Sequence, residues 1–193
     1  DLDQIALVVT GLPRSGTSMM MQMLEAGGLP VLSDSVREPD QDNPKGYFEY
    51  EPVRHIGRDN SWLPEAKGRA VKIVVPLLIH LPPAARFQYR VIFMERPLGE
   101  ILASQKKMLD RRDREGAALP EEKLRDLFAR GVRQTKRALS ARGIPTLVVE
   151  YLECLENPGE TAARVNSFLG GGLDEKAMAA AVSQDLYRTR LTD

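Results

Sequence analysis

The chain has 193 residues, 42% hydrophobic and 28% charged, an ordinary globular composition with room for one domain and a core of useful size. Its 27 Lys and Arg balance 27 Asp and Glu, which argues against a general nucleic-acid or membrane-surface binder and leaves a local basic pocket open. The one cysteine, Cys154, excludes an internal disulfide and makes a reducing, cytoplasmic setting the default expectation. No apolar run approaches the roughly 18 residues needed to span a bilayer. The sequence opens on Asp1 rather than a methionine, so its native start is undefined.

Residues 4–10 (QIALVVT) form a nearly continuous apolar run and predict a buried parallel strand. Residues 11–16 are the turn after it. A helix follows over Thr17–Ala26, stopped by Gly27 and Gly28. Residues 30–46 are polar, contain Pro39 and Pro44, and read as a long loop of the kind that often carries function. A short helix is expected over 49–60, a second strand over 69–75 (RAVKIVV) and a third over 89–95 (YRVIFME). Arg96 and Pro97 open a helix in which Leu98, Ile101, Leu102, Met108 and Leu109 recur at helical spacing. Residues 110–118 are charged. The longest helix is expected over 120–142, with a buried stripe of Leu124, Leu127, Phe128, Val132, Thr135 and Leu139. Thr146–Glu150 (TLVVE) is the fourth strand. Asn157, Pro158, Gly159 and Glu160 resemble a capping box with proline at the first helical position, and that helix runs to Leu169 before three glycines. Residues 174–193 are expected to be partly helical. Strands alternating with helices predict a single α/β domain over 1–193, with a mostly parallel sheet of four to five strands and helices on both faces.

The turn reads GLPRSGTS. Gly11, Gly16 and Ser18 keep the spacing of the G-x-x-x-x-G-K-[ST] phosphate loop, but Thr17 stands where the lysine belongs. A Gly-rich turn between a buried strand and a helix still presents backbone N–H groups and the positive helix end to an anion. Thr17 and Ser18 add hydroxyls. The positive side chain has moved inside the loop as Arg14, whose guanidinium can grip two phosphate oxygens at once. The bland alternative is a plain strand-to-helix turn. Without the lysine, and with no strand ending in a clear Walker B aspartate, transfer of a γ-phosphate is disfavoured.

The segment Pro13-Arg14-Ser15-Gly16-Thr17 resembles the 5′-phosphosulfate loop of sulfotransferases that use 3′-phosphoadenosine 5′-phosphosulfate (PAPS). Two further segments are similar to that family. FMERPLGEILASQ supplies Arg96 at a strand end and Ser104 eight residues later, the family's 3′-phosphate pair. VVEYLECLENPGETAARVNSFLG resembles its C-terminal R-Y-E-D-L stretch, proline, helix and F-L-G. Together they run from about Val8 to Gly170. The resemblance implies a three-layer P-loop-like α/β fold and PAPS as co-substrate. It implies that Pro13, Arg14, Ser15, Gly16, Thr17 and Ser18 hold the 5′-phosphosulfate, and Arg96 and Ser104 the 3′-phosphate. The chain is short for the family, and the C-terminal R-K-G segment of its cytosolic members has no counterpart here. Arg188 or Arg190 could stand in for it, although a solvated tail is the simpler reading.

Sulfuryl transfer needs an in-line acceptor, positive charge on the departing oxygen and a base for the acceptor's proton. No metal is required, and no His/Cys/Asp cluster suggests one. Arg14 is the candidate for the charge. The stretch DNPKGYFEYEPVRHIG offers Glu49 as first candidate base and His55 as second; Tyr47 and Phe48 could shield the Glu49 carboxylate. Their plain alternatives are a helix cap and a surface histidine. Lys72 interrupts an apolar strand, which is costly unless its amine reaches a site or a partner. Lys45 could serve acceptor binding. Trp62 could stack on adenine, but a lone tryptophan is more often core, and His80 reads as structural. The acceptor stays open among small molecules, carbohydrates and peptides, as does the oligomeric state. The competing readings are a P-loop nucleotide or nucleoside kinase and a degenerate, non-catalytic nucleotide-binding domain.

Overall fold

A computed structural model describes residues 2–34, 46–83, 87–111 and 120–182. In chain order the elements are β1 (Ile5–Gly11), α1 (Thr17–Ala26), β2 (Val31–Leu32), β3 (Ala70–Lys72), α2 (Val75–Leu78), β4 (Gln88–Glu95), α3 (Leu98–Arg111), α4 (Glu121–Ala141), β5 (Thr146–Glu150), α5 (Tyr151–Glu156), α6 (Pro158–Leu169) and α7 (Glu175–Ala180). The five strands make one sheet in the order β2-β3-β1-β4-β5, and every pairing is parallel.

β1 is the central strand and all seven of its residues are buried, which is why its sequence is an unbroken apolar run. Its side chains alternate between two cores. Ala6 and Val8 join Val91 and Phe93 of β4 beneath α2, α3 and α4, through Val75, Leu78, Ile101 and Leu139. Leu7 and Val9 join Ile92 and Met94 beneath α1, α5, α6 and α7, through Met20, Leu24, Cys154, Val165 and Met178. The three layers follow from that alternation.

Several elements differ from the sequence reading. The second strand stops at Lys72: Val75 already begins α2, with Pro76 in its first turn, so the apolar run passes from strand to buried helix without a polar break. The helix expected over 49–60 is a 3-10 turn over Glu51–His55, with Pro52 in it. β2 and α5 carry no signal long enough to read. Asn157 starts α6 ahead of Pro158, but its side chain makes no capping bond; its backbone also closes α5, which holds it at φ −131° and ψ 59°. In α4, Thr135 and Leu139 are buried, Phe128 and Val132 pack against the core from partly buried positions, and Leu127 is 49% exposed. Trp62 is core: it is 4% exposed and meets Tyr50 edge-on at 5.6 Å, so it is not the adenine platform. His80 is exposed and lies over Gly57. Lys45, Arg188 and Arg190, with most of the 30–46 loop and the 110–118 segment, fall outside the described residues.

Candidate functional site

In an open parallel sheet, ligands bind beyond the C-terminal strand ends where the chain switches from one side to the other. Here the chain builds β2 and β3 on one side of β1 and then β4 on the other. The switch lies between the ends of β1 and β4. The loop bearing Arg14 leaves the first, and Arg96 follows the second.

The loop is tightly wound. Ser15 N–H donates to the Leu12 carbonyl at 3.1 Å. Arg14 has φ 71°, a left-handed conformation rare for a side chain of its size, and Gly16 has φ 97°. A Cβ at Gly16 would stand 2.5 Å from Cδ2 of Tyr151, so only glycine fits. Gly11 is similarly confined, 2.7 Å from a Cβ to the Met94 carbonyl. Gly16 caps α1 without any side-chain bond, which leaves the first-turn N–H groups to a ligand or to water. The Ser15 hydroxyl is buried and has no hydrogen-bond partner among the described residues. An orphaned buried hydroxyl, an uncapped helix start and backbone confined to glycine fit the oxygens of a bound phosphate or sulfate. Thr17 is buried beside them, and Pro13 is exposed at the tip.

The two arginines are interlocked. Arg14 Nε donates to the Ser104 hydroxyl on α3 at 3.0 Å. In return, an Arg96 terminal nitrogen donates to the Arg14 carbonyl at 3.2 Å. Arg96 Nε pairs with Glu100 at 2.9 Å, both side chains nearly buried, and the guanidinium lies over the Tyr151 ring at 4.4 Å. Arg14, Arg96 and Ser104, assigned from sequence to two phosphate subsites, therefore form one cluster joined by direct bonds. Sequence reasoning missed Glu100 and Tyr151. The i,i+4 spacing from Arg96 was the available signal for Glu100. The signal for Tyr151 was its place in the segment that resembles R-Y-E-D-L; the pairing of Glu95 with Glu150 places it beside Arg96, one step past the last strand pair.

The candidate bases are arranged differently. Lys72 ends β3 beside Val9 and is 9% exposed; its amine donates to the Tyr47 carbonyl, which also accepts from the Ser18 hydroxyl at 3.3 Å. This one carbonyl ties residues 46–50 to the start of α1 and to the end of β3. Glu49, two residues on, pairs with Arg54 at 3.3 Å in a partly exposed bridge. Arg54 also reaches Glu51 at 3.2 Å. His55 is exposed at the end of the 3-10 turn, and no described contact brings it to the loop. Cys154 is buried, and that burial pushes its thiol up to about 12, which makes it a core residue and not a nucleophile. Among the described residues no group of three or more His, Cys, Asp or Glu could hold a metal ion, and no helix is long and apolar enough to cross a membrane.

No protein-family model matches the sequence, and no curated protein sequence matches it. Among solved structures, the chain is similar to the sulfotransferase domain of the olefin synthase from Synechococcus PCC 7002, with a TM-score of 0.59 at 16% identity, over 95% of this chain and 79% of that one. At that identity the likeness is one of fold: an α/β, P-loop-like architecture with a five-stranded parallel sheet, of the kind sulfotransferase domains have.

Proposed function

We propose that the protein is a sulfotransferase that moves a sulfuryl group from PAPS to a hydroxyl or amine on a small-molecule, carbohydrate or peptide acceptor. The observation that carries this reading is the bonded pair Arg14 and Arg96 at the switch point, one cation inside a glycine-confined loop and the other at the neighbouring strand end. Two fixed cations a loop apart suit a ligand with two anionic groups better than a lone phosphate. The fold likeness points the same way.

In this reading the loop from Pro13 to Ser18 holds the 5′ end through N–H groups and hydroxyls, and Arg96 and Ser104 hold the 3′-phosphate. When bound, the donor supplies an activated sulfuryl group. Arg14 meets the negative charge that develops on the leaving oxygen. Lys72 and the loop's N–H groups orient the group to be transferred. Glu49 takes the acceptor's proton, with His55 as the alternative base.

Calorimetric titration with 3′-phosphoadenosine 5′-phosphate, with and without Mg²⁺ and beside ATP, tests the reading. Binding without Mg²⁺, weak for ATP and lost in Arg96→Ala, is expected. A Mg²⁺-dependent preference for ATP would move the protein to the kinase reading. Binding of the bisphosphate without turnover of PAPS with any acceptor would move it to the non-catalytic one.

A further inference from the structure

Glu49 lies between two neighbours anchored in different cores. Phe48 packs against the core beneath α1, and Tyr50 against the core on the other face of the sheet. Phe48 has φ 51°, a left-handed conformation that a bulky side chain adopts only where its surroundings impose it. The Tyr47 carbonyl before it is the one bonded by Lys72 and Ser18. The far end of the segment is held by Asp34, two residues past β2. The Asp34 N–H donates to the Glu49 carbonyl at 3.1 Å, and the Asp34 carboxylate accepts from the Glu51 N–H. In a parallel ladder a residue bonds both residues that flank its partner, one through its N–H and the other through its carbonyl. Asp34 does this around the extended Tyr50, with its carboxylate standing in for the main-chain carbonyl. The same bond caps the 3-10 turn. Tyr50, at the cap position, gives the turn no side-chain bond, and Asp34 supplies one from 17 positions earlier.

We propose that Asp34 is a positioning residue for the base. It bonds the main chain at Glu49 and again at Glu51, so the Glu49 carboxylate projects from backbone fixed on both sides. A base must come within hydrogen-bond reach of the proton it takes, and a displacement of about 1 Å can cost 100-fold in rate. The inference rests on the reading of Glu49 as the base and adds to it the residue that aims it. A merely structural aspartate would change stability and leave turnover in proportion to folded protein. A positioning one lowers kcat and leaves donor binding intact.

The test follows hydrolysis of PAPS, with water as the acceptor, on the full chain, beside calorimetry with 3′-phosphoadenosine 5′-phosphate. Asp34→Ala removes the bond to the Glu51 N–H and is expected to lower kcat about tenfold, with the KM for PAPS and the affinity for the bisphosphate within about twofold. Asp34→Asn keeps an acceptor oxygen in place and is expected to restore kcat to within about threefold. In a Glu49→Gln background, Asp34→Ala is expected to have no further effect, because the aspartate acts through the glutamate. Asp34→Glu, which keeps the charge and displaces the bond by one methylene, replaces the alanine variant if that one melts below the assay temperature, and the same loss of kcat is expected. An unchanged kcat, an equal loss in the Glu49→Gln background, or a matching loss of bisphosphate affinity overturns the inference and leaves the donor reading standing. Full turnover in Glu49→Gln alone overturns it as well, by removing the base it serves. A wild-type protein that neither binds the bisphosphate nor hydrolyses PAPS overturns both readings.

Discussion

Two regions meet at the Tyr47 carbonyl and are built on opposite principles. On one side, the loop after β1 and the start of α3 are cross-bonded and conformationally confined: Arg14 to Ser104, Arg96 to Arg14 and to Glu100, Gly16 against Tyr151. On the other, residues 49–55 are held by partly exposed ion pairs around Arg54, whose side chain is 58% exposed. A ligand that is always the same can be met by a rigid constellation, which does not have to reorganise on binding. In the proposed function the second segment faces varied acceptors, which offer no such fixed target. The contrast predicts that substitutions on the first side change binding and stability together, whereas substitutions on the second change turnover alone.

The largest effect is expected at Gly16. Alanine there meets Tyr151 and must also hold φ 97°, so Gly16→Ala is expected to cost about 2–4 kcal/mol of stability and to abolish bisphosphate binding. Gly28 is the control. It has φ 92° but open space around its Cβ position, so Gly28→Ala should cost about 1 kcal/mol, from the backbone alone, and leave binding unchanged. Thermal melts and calorimetry on the two variants separate crowding from conformation. Equal losses would mean that the Tyr151 contact relaxes and the loop is softer than its packing indicates.

The next largest is expected at Glu49. With water as acceptor, slow hydrolysis of PAPS can be followed by release of the bisphosphate. Glu49→Gln is expected to slow it about 100-fold, the usual contribution of a general base. His55→Ala, at an exposed position, should stay within about twofold by the same measure. Neither should shift stability by more than about 1 kcal/mol, because exposed ion pairs contribute little. A reversed result would assign the base to His55. A flat result for both would remove the base from this segment.

The region the sequence described best is the rigid one, and the reason is physical. α1 begins and ends where the glycines on either side require, at Thr17 and Ala26, and β1 follows from a run that only a doubly buried strand needs. Both are local signals. The bonds that unite the site are not local: Arg14 and Ser104 are 90 positions apart, and Tyr151 reaches Arg96 only through the register of β4 and β5. Where a local pattern misled, another local force outweighed it. Pro76 sits in the first turn of α2, where its fixed φ suits a helix start, and Pro52 keeps the 3-10 turn from reaching back to Glu49. In α4, the helical period was right, but of the expected stripe only Thr135 and Leu139 are fully buried, and Leu127 is exposed.

Lys72 belongs to both regions, and its variant sharpens the boundary between them. Its stem is buried in the sheet, while its amine holds the Tyr47 carbonyl from which the exposed segment hangs. Methionine keeps the apolar stem and removes the charge. Replacing a buried charged group with an apolar one of similar size is often neutral for stability, so the melting temperature of Lys72→Met should change little. The Tyr47 carbonyl retains the Ser18 hydroxyl as a donor, so the segment should stay in place. What the variant loses is a cation at the end of β3, beside the end of β1 where the loop begins. If that cation serves the transferred group, PAPS affinity falls about tenfold, the worth of one charge-assisted hydrogen bond, while the bisphosphate without the sulfuryl group stays within about twofold. Equal affinities for both ligands, with a lower melting temperature, would return Lys72 to a purely structural role and leave Arg14 as the cation at the reacting end.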